Sequence, residues 1–187
     1  NVSCLRSAPV YSETLKLHEA LQRSNHRLVL VESCTAGMVA AELGQIPGIS
    51  NYLCGSLVVY RNDSKAKWLG ISQEWLDDPK IGPVSLQVTE ALARSALDRT
   101  PEATIAAAIT GHLGPGSPPD LDGVIYGGVA ARINASSSRE YSVTAIKLRL
   151  GNPAPIDSRD IDRRRARQTE AMQRLIDFII DRLRASG

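Results

Sequence analysis

Apolar and polar positions along this chain alternate between two periods, one of helices and one of strands. Ser12 reads as the N-cap of a first helix that carries Leu17, Ala20, Leu21 and Ser24 on one face, after a loose lead over residues 1–11. A short apolar run from Arg27 to Glu32 predicts a strand; it stops at Ser33, and an alanine-rich helix follows through Gly44. Pro47-Gly48 marks a turn. Cys54 to Tyr60 predicts a second buried strand, and Asn62, Asp63 or Ser64 can cap the helix with Ala66, Trp68 and Leu69. Residues 71–81 read as irregular. Ser85 is the predicted N-cap of a helix whose stripe is Val88, Ala91, Leu92, Ser95 and Ala96.

Ala103 to Thr110 is continuously apolar, the pattern of a central strand covered on both faces. A Gly/Pro loop follows, Gly111 to Pro119. Gly123 to Arg132 and Arg139 to Leu150 predict an antiparallel hairpin around Asn134–Ser138. After a loop over 151–156, Asp157 or Ser158 starts a long helix with Met172, Leu175, Ile176, Ile179, Ile180 and Leu183 on one stripe. Alternating helices and strands with a late hairpin predict an α/β fold: a three-layer α/β/α sandwich with a mixed, mainly parallel sheet, in one domain over 1–187.

Parallel sheets place sites at the carboxyl ends of their strands. Three predicted strand ends carry polar or glycine-rich turns, at Ser33–Gly37, Tyr60–Lys65 and Thr110–Gly116. If those strands are parallel neighbours, the turns meet in one cleft that holds a serine, a tyrosine, a lysine and a Gly-rich loop.

Composition narrows the chemistry. The 187 residues are 43% hydrophobic and 22% charged, an ordinary globular balance, and the net charge of +2 gives no general pull toward nucleic acid. Cys4, Cys34 and Cys54 are widely spaced, and with the three histidines they show no metal-ligand spacing. No metal or cofactor is expected. The N-terminus has no signal-peptide h-region, and no segment is long enough to cross a membrane, so the expected setting is reduced and cytoplasmic.

Ser33 sits where a strand turns into a helix. The N–H groups of Cys34, Thr35, Ala36 and Gly37 would open that helix without intrahelical acceptors and favour negative charge. Such a turn holds a nucleophile clear of the sheet; equally, Ser33 is a plain N-cap. Cys34 competes for the nucleophile role, because a thiol at a helix N-terminus ionises more readily; the alternative is a small buried cysteine. Lys65 is either a solvated helix residue or, if buried, an amine whose pKa falls toward that of a usable base. Arg159, Arg163, Arg164, Arg165 and Arg167 form a run that reads as a solvated face, with one arginine available for a substrate phosphate.

Five segments recur in order: Glu32-Ser33-Cys34-Thr35-x-Gly37, Pro47-Gly48-x-Ser50, Tyr60-x-Asn62-x-x-Lys65 with Leu69-Gly70, Gly82-x-Val84-Ser85, and Thr110-Gly111-x-x-Gly114-Pro115. In this spacing, from about Ser12 to the C-terminus, the chain resembles the CinA C-terminal domain family, which also occurs alone as the nicotinamide-nucleotide amidase PncC. The resemblance implies a sandwich of the anticodon-binding-domain type and a homo-oligomer. It implies deamidation of nicotinamide mononucleotide, with a serine nucleophile matching Ser33, a lysine matching Lys65 and a tyrosine matching Tyr60. The strand-end turns themselves offer substrate contacts at Cys34, Thr35, Ala36, Gly37, Thr110, Gly111, His112 and Gly114. The alternative within the family is a nucleotide-binding or assembly module that has lost turnover.

The chain departs from the family pattern at four places. Ala36 replaces a glycine, which is tolerable if its φ is negative. Leu113 replaces an alanine and, with His112, is expected to face the cleft and narrow it. Asp120-Leu121-Asp122-Gly123 replaces Lys-Pro-x-Gly, and Gly151–Pro155 rewrites the loop before the last helix.

Overall fold

The computed structural model describes residues 8–133, 140–151 and 159–185, which form five strands, six α-helices and two short 3-10 helices. The strands are β1 (Leu28–Glu32), β2 (Leu53–Val58), β3 (Ile105–Gly111), β4 (Val124–Arg132) and β5 (Tyr141–Arg149). The helices are α1 (Ala8–Ser24), α2 (Met38–Leu43), α3 (Asn62–Leu69), α4 (Gln73–Asp77), α5 (Leu86–Arg99) and α6 (Asp160–Ala185). The sheet order is β2-β1-β3-β4-β5. β1 pairs in parallel with β2 and β3, and β4 pairs antiparallel with β3 and β5. The sheet is therefore mixed as expected, with its pairings evenly divided.

The period of two in the strands builds two separate cores. Leu28, Leu30, Ile105, Ala107, Ile109, Ile125 and Val129 join residues of α1, α2 and α6 in one apolar cluster. Val29, Val31, Ala106, Ala108 and Ala130, from the alternate positions, join α3, α4 and α5 in the other. α5 approaches β4 closely at Gly128: a Cβ there would lie 3.1 Å from the Thr89 carbonyl oxygen. The small side chains of β3 and β4 thus set how near α5 sits.

Ser85 caps α5 as the sequence predicts, its hydroxyl accepting from the Val88 N–H. Four expectations change. α1 is already helical at Ala8, so Ser12 lies inside it and the proposed lead is shorter. β2 is an edge strand of intermediate burial, because only β1 pairs with it. Arg61 occupies the N-cap of α3 without a side-chain cap, displacing the three polar candidates. The segment read as irregular contains α4, whose Leu76 is buried. The lead residues 1–7, the hairpin loop at Asn134–Ser138, most of the 151–156 loop and the helix start at Asp157 or Ser158 lie outside the described residues. No helix among the described residues is long and apolar enough to cross a membrane.

Candidate active site

Because β2, β1 and β3 are adjacent and parallel, their carboxyl ends lie on one edge of the sheet. The three turns anticipated there are tied together by backbone. The Ser33 N–H donates to the Ile109 carbonyl at 3.2 Å, and the Val59 N–H donates to the Glu32 carbonyl at 2.8 Å. Side chains from α6 complete the ring: Gln168 Nε2 donates to the Cys34 carbonyl at 3.1 Å, and Arg164 reaches both the Tyr60 hydroxyl and the Gly114 carbonyl.

The turn after β1 is organised by Glu32. Its carboxylate is fully buried and accepts from the Thr35 hydroxyl, the N–H groups of Gly37, Val39 and Ala40, and the Ser56 hydroxyl, at 2.8–3.1 Å. All five partners donate to it, as an acceptor-only group requires. The negative charge that a helix N-terminus attracts is thus supplied by the protein itself. This revises the expected roles of Thr35 and Gly37, whose side chain and N–H are committed to Glu32. The Ala36 N–H bonds the Ser33 carbonyl. Among the described residues, the Cys34 and Thr35 N–H groups are the pair in this turn that donate neither to backbone nor to Glu32.

Ala36 has φ of 54° and Gly37 of 94°. The condition for an easy replacement, a negative φ at Ala36, is therefore not met; an L-residue stands in the left-handed region where glycine is cheaper. Cys34 is buried, and burial pushes its thiol up to about 12, so it is a packed thiol and no rival nucleophile. Its sulfur lies against Gly111, where an added Cβ would fall 3.1 Å from the sulfur and 2.7 Å from Ile125 Cγ2. Gly111 is needed for close packing. Thr110 is fully buried and its hydroxyl is bonded to that of Thr89 at 2.8 Å, so it too is an internal contact.

Lys65 lies in α3 with only 2% of its surface exposed. Burial lowers its pKa, and the neighbouring Cys34 opposes that shift. Among the described residues its amine makes no hydrogen bond or ion pair, and no Ser33 Oγ–Lys65 Nζ hydrogen bond is formed. Ser33 itself is 8% exposed, and Tyr60 is 53% exposed.

A cavity of about 440 Å³ adjoins these turns, lined by the Leu113–Ser117 loop, Pro119, Asp122, Asp160, Arg163 and Arg167. Its size is within the roughly 300–1,000 Å³ of small-molecule sites. Ser33, Tyr60 and Lys65 do not line it; Arg164, bonded to both the Gly114 carbonyl and the Tyr60 hydroxyl, joins its rim to Tyr60. Arg167 is 6% exposed and is gripped by Asp122 at 2.7 and 2.9 Å. That hydrogen bond holds the Asp122 carboxyl below its usual range. The rewritten loop thus adds a carboxylate that neutralises an arginine. His112 is half-buried, and burial lowers its pKa, with Asp122 opposing. Leu113 is 2% exposed and packs in the apolar cluster that α6 helps to build, while the residue also borders the cavity; it belongs to the core as well as to the pocket wall the sequence pointed to. Among the described residues there is no cluster of His, Cys, Asp or Glu able to hold a metal ion.

The model of the CinA C-terminal domain matches residues 11–147. The chain belongs to the CinA C-terminal domain family. A CinA-like protein of Geobacter metallireducens is 36% identical over 140 residues, covering 74% of this chain and 33% of that protein. A CinA-like protein of Mycobacterium leprae is 44% identical over 93 residues, half of this chain and 21% of the relative. The chain thus spans roughly a fifth to a third of the length of these curated relatives. Among solved structures it is similar to the competence/damage inducible protein CihA of Agrobacterium tumefaciens, at 27% identity and TM-score 0.71, covering 90% of this chain and 94% of that one. A CinA superfamily protein of Klebsiella pneumoniae, at 20% identity and TM-score 0.76, covers 94% of this chain and 98% of its own and shares the fold.

Three contacts of this CinA domain were not anticipated from residue pattern, although Arg164 was named within the arginine run. Glu32 carried a signal, a carboxylate ending an otherwise apolar strand. The run of arginines carried no sign of which one meets Tyr60, and Gln168 carried no signal at all, because their partners lie 104 and 134 residues away in the chain.

Proposed function

We propose that this chain hydrolyses the amide of nicotinamide mononucleotide to nicotinic acid mononucleotide and ammonia, with Ser33 as nucleophile and Lys65 as base. The observation that carries this reading is Lys65: a buried amine with a lowered pKa and no counter-charge, on the segment that follows the strand beside Ser33. A serine hydroxyl needs a nearby base, and an uncharged amine is one. A paired, solvated lysine would not serve.

Ser33 Oγ attacks the amide carbon and its proton passes to Lys65. The carbonyl oxygen gains charge and is met by the Cys34 and Thr35 N–H groups left over from the Glu32 cap. The phosphate end extends past Gly114 into the 440 Å³ cavity, where Arg163 lines the wall. Collapse of the tetrahedral intermediate expels ammonia and leaves an ester on Ser33, which water then hydrolyses.

A second reading is a nucleotide-binding or assembly module without turnover. The Asp122–Arg167 pair favours it, since it removes a positive charge from the cavity. Ammonia release from nicotinamide mononucleotide, measured for wild type, Ser33→Ala and Lys65→Met, separates the two. Release by wild type that both variants abolish is the expected result. Release that survives in Ser33→Ala refutes the serine mechanism, and saturable binding without release establishes the module.

A further inference from the structure

The contact between α6 and Tyr60 has a chemical consequence. Arg164 Nη2 donates to Tyr60 Oη at 2.7 Å, while Nη1 donates to the Gly114 carbonyl. Arginine has five N–H donors and no acceptor. The Tyr60 oxygen must therefore accept from Arg164, and its own proton is left to point elsewhere. Arg164 is half-buried and held at its second corner by backbone, so this polarity is fixed by the fold. Its guanidinium also acts electrostatically on Cys34, which places it beside the Ser33 turn. Gln168, four residues on, faces the same turn and donates to the Cys34 carbonyl. The α6 residues Arg163 and Arg167 face the cavity instead.

We propose that Arg164 is a positioning residue that presents the Tyr60 phenol as the proton donor to the departing ammonia. The inference rests on the deamidase reading. In the first half-reaction Lys65 takes the Ser33 proton as the C–O bond forms. As the C–N bond breaks, the nitrogen takes the phenol proton and leaves as ammonia. The phenolate so formed faces the Arg164 cation, which stabilises it without moving. The protonated Lys65 then returns a proton to Tyr60, so that both groups end as they began and Ser33 carries the ester. Without Arg164 the phenol can turn its proton away, and the phenolate loses its counter-ion.

The test compares Arg164→Met, Arg164→Lys, Tyr60→Phe and the Arg164→Met/Tyr60→Phe pair, with folding followed by circular dichroism. The expected loss is in kcat, on the order of a hundredfold for Arg164→Met, with KM little changed. The double variant should be no slower than Tyr60→Phe alone, and Arg164→Lys, which keeps a cationic donor, should recover part of the rate. The 13C resonance of Tyr60 Cζ should move in Arg164→Met, which reads the hydrogen bond independently of turnover. A rise in KM at constant kcat, or full additivity with Tyr60→Phe, would make Arg164 a substrate ligand and overturn the proposal. An unmoved Tyr60 resonance overturns it as well. If Arg164→Met does not fold, the Arg164→Lys rate and resonance decide by the same criteria. If wild type releases no ammonia, the deamidase reading itself fails, whatever the resonance does, and the acid role falls with it.

Discussion

Replacing Glu32 by glutamine should separate the architecture of the nucleophile turn from its chemistry. The side chain keeps its shape but exchanges one acceptor oxygen for an NH2 group. Oε2 serves the Thr35 hydroxyl and the N–H groups of Gly37 and Val39, whereas Oε1 serves the Ala40 N–H and the Ser56 hydroxyl. The amide will turn its oxygen to the three-donor side. The Ser56 hydroxyl can rotate and accept, but the Ala40 N–H then faces another donor. A buried N–H left unsatisfied costs about 1–3 kcal/mol, and three bonds reduced from charge-assisted to neutral lose about 1 kcal/mol each. The expected total is about 4–6 kcal/mol, a large part of the roughly 5–15 kcal/mol available to a domain. Urea unfolding should show a lower midpoint at an unchanged m-value. Ser56→Ala is the control: the carboxylate keeps four donors, and the loss should stay near ~1 kcal/mol. A Glu32→Gln loss below about 1 kcal/mol would refute the claim that this carboxylate holds the turn.

Leu113→Ala should act on stability: truncating a leucine this deep in the α6 core costs about 2–5 kcal/mol, so a lowered Tm is expected and a gain in turnover is not. Ala36→Gly should relieve a left-handed alanine at some cost in chain entropy, for a net gain of about 0.5–1 kcal/mol, read as a rise in Tm of about 1–4 °C. Lys65→Met should stabilise the fold at neutral pH, because the depressed amine destabilises the native state wherever the unfolded chain binds its proton. That advantage should shrink as pH rises toward ~10.4, where the unfolded lysine also loses its proton. The difference between variant and wild type is the proper quantity, since the Cys34 thiol, protonated up to about 12 when folded, makes stability fall above ~8.5 in both. A pH-independent difference would mean that Lys65 titrates normally.

What the sequence by itself determined is what depends on near neighbours. Continuous apolar runs such as Leu28–Glu32 and Ile105–Gly111 specify strands covered on both faces, because successive side chains reach opposite faces and both are buried. Ser85 specifies the start of α5 because its hydroxyl meets an N–H three residues on. The order of helices and strands then leads to the layered α/β arrangement, and the polar strand ends point to the edge where the turns meet. The tertiary structure decided which of those turn residues remain available. Glu32 draws donors from α2 and from β2, so Thr35 and Gly37 became part of the scaffold. Strand neighbours are not encoded by local period, so β2 could be known as an edge only from the sheet order. Leu113 follows a glycine-rich strand end yet packs in the core, because the apolar cluster it joins is built in part by α6 residues from Ala171 onward, far along the chain. Burial gives Lys65 its lowered pKa, and burial is a property of the packed chain: the same lysine on an isolated helix would be an ordinary solvated cation.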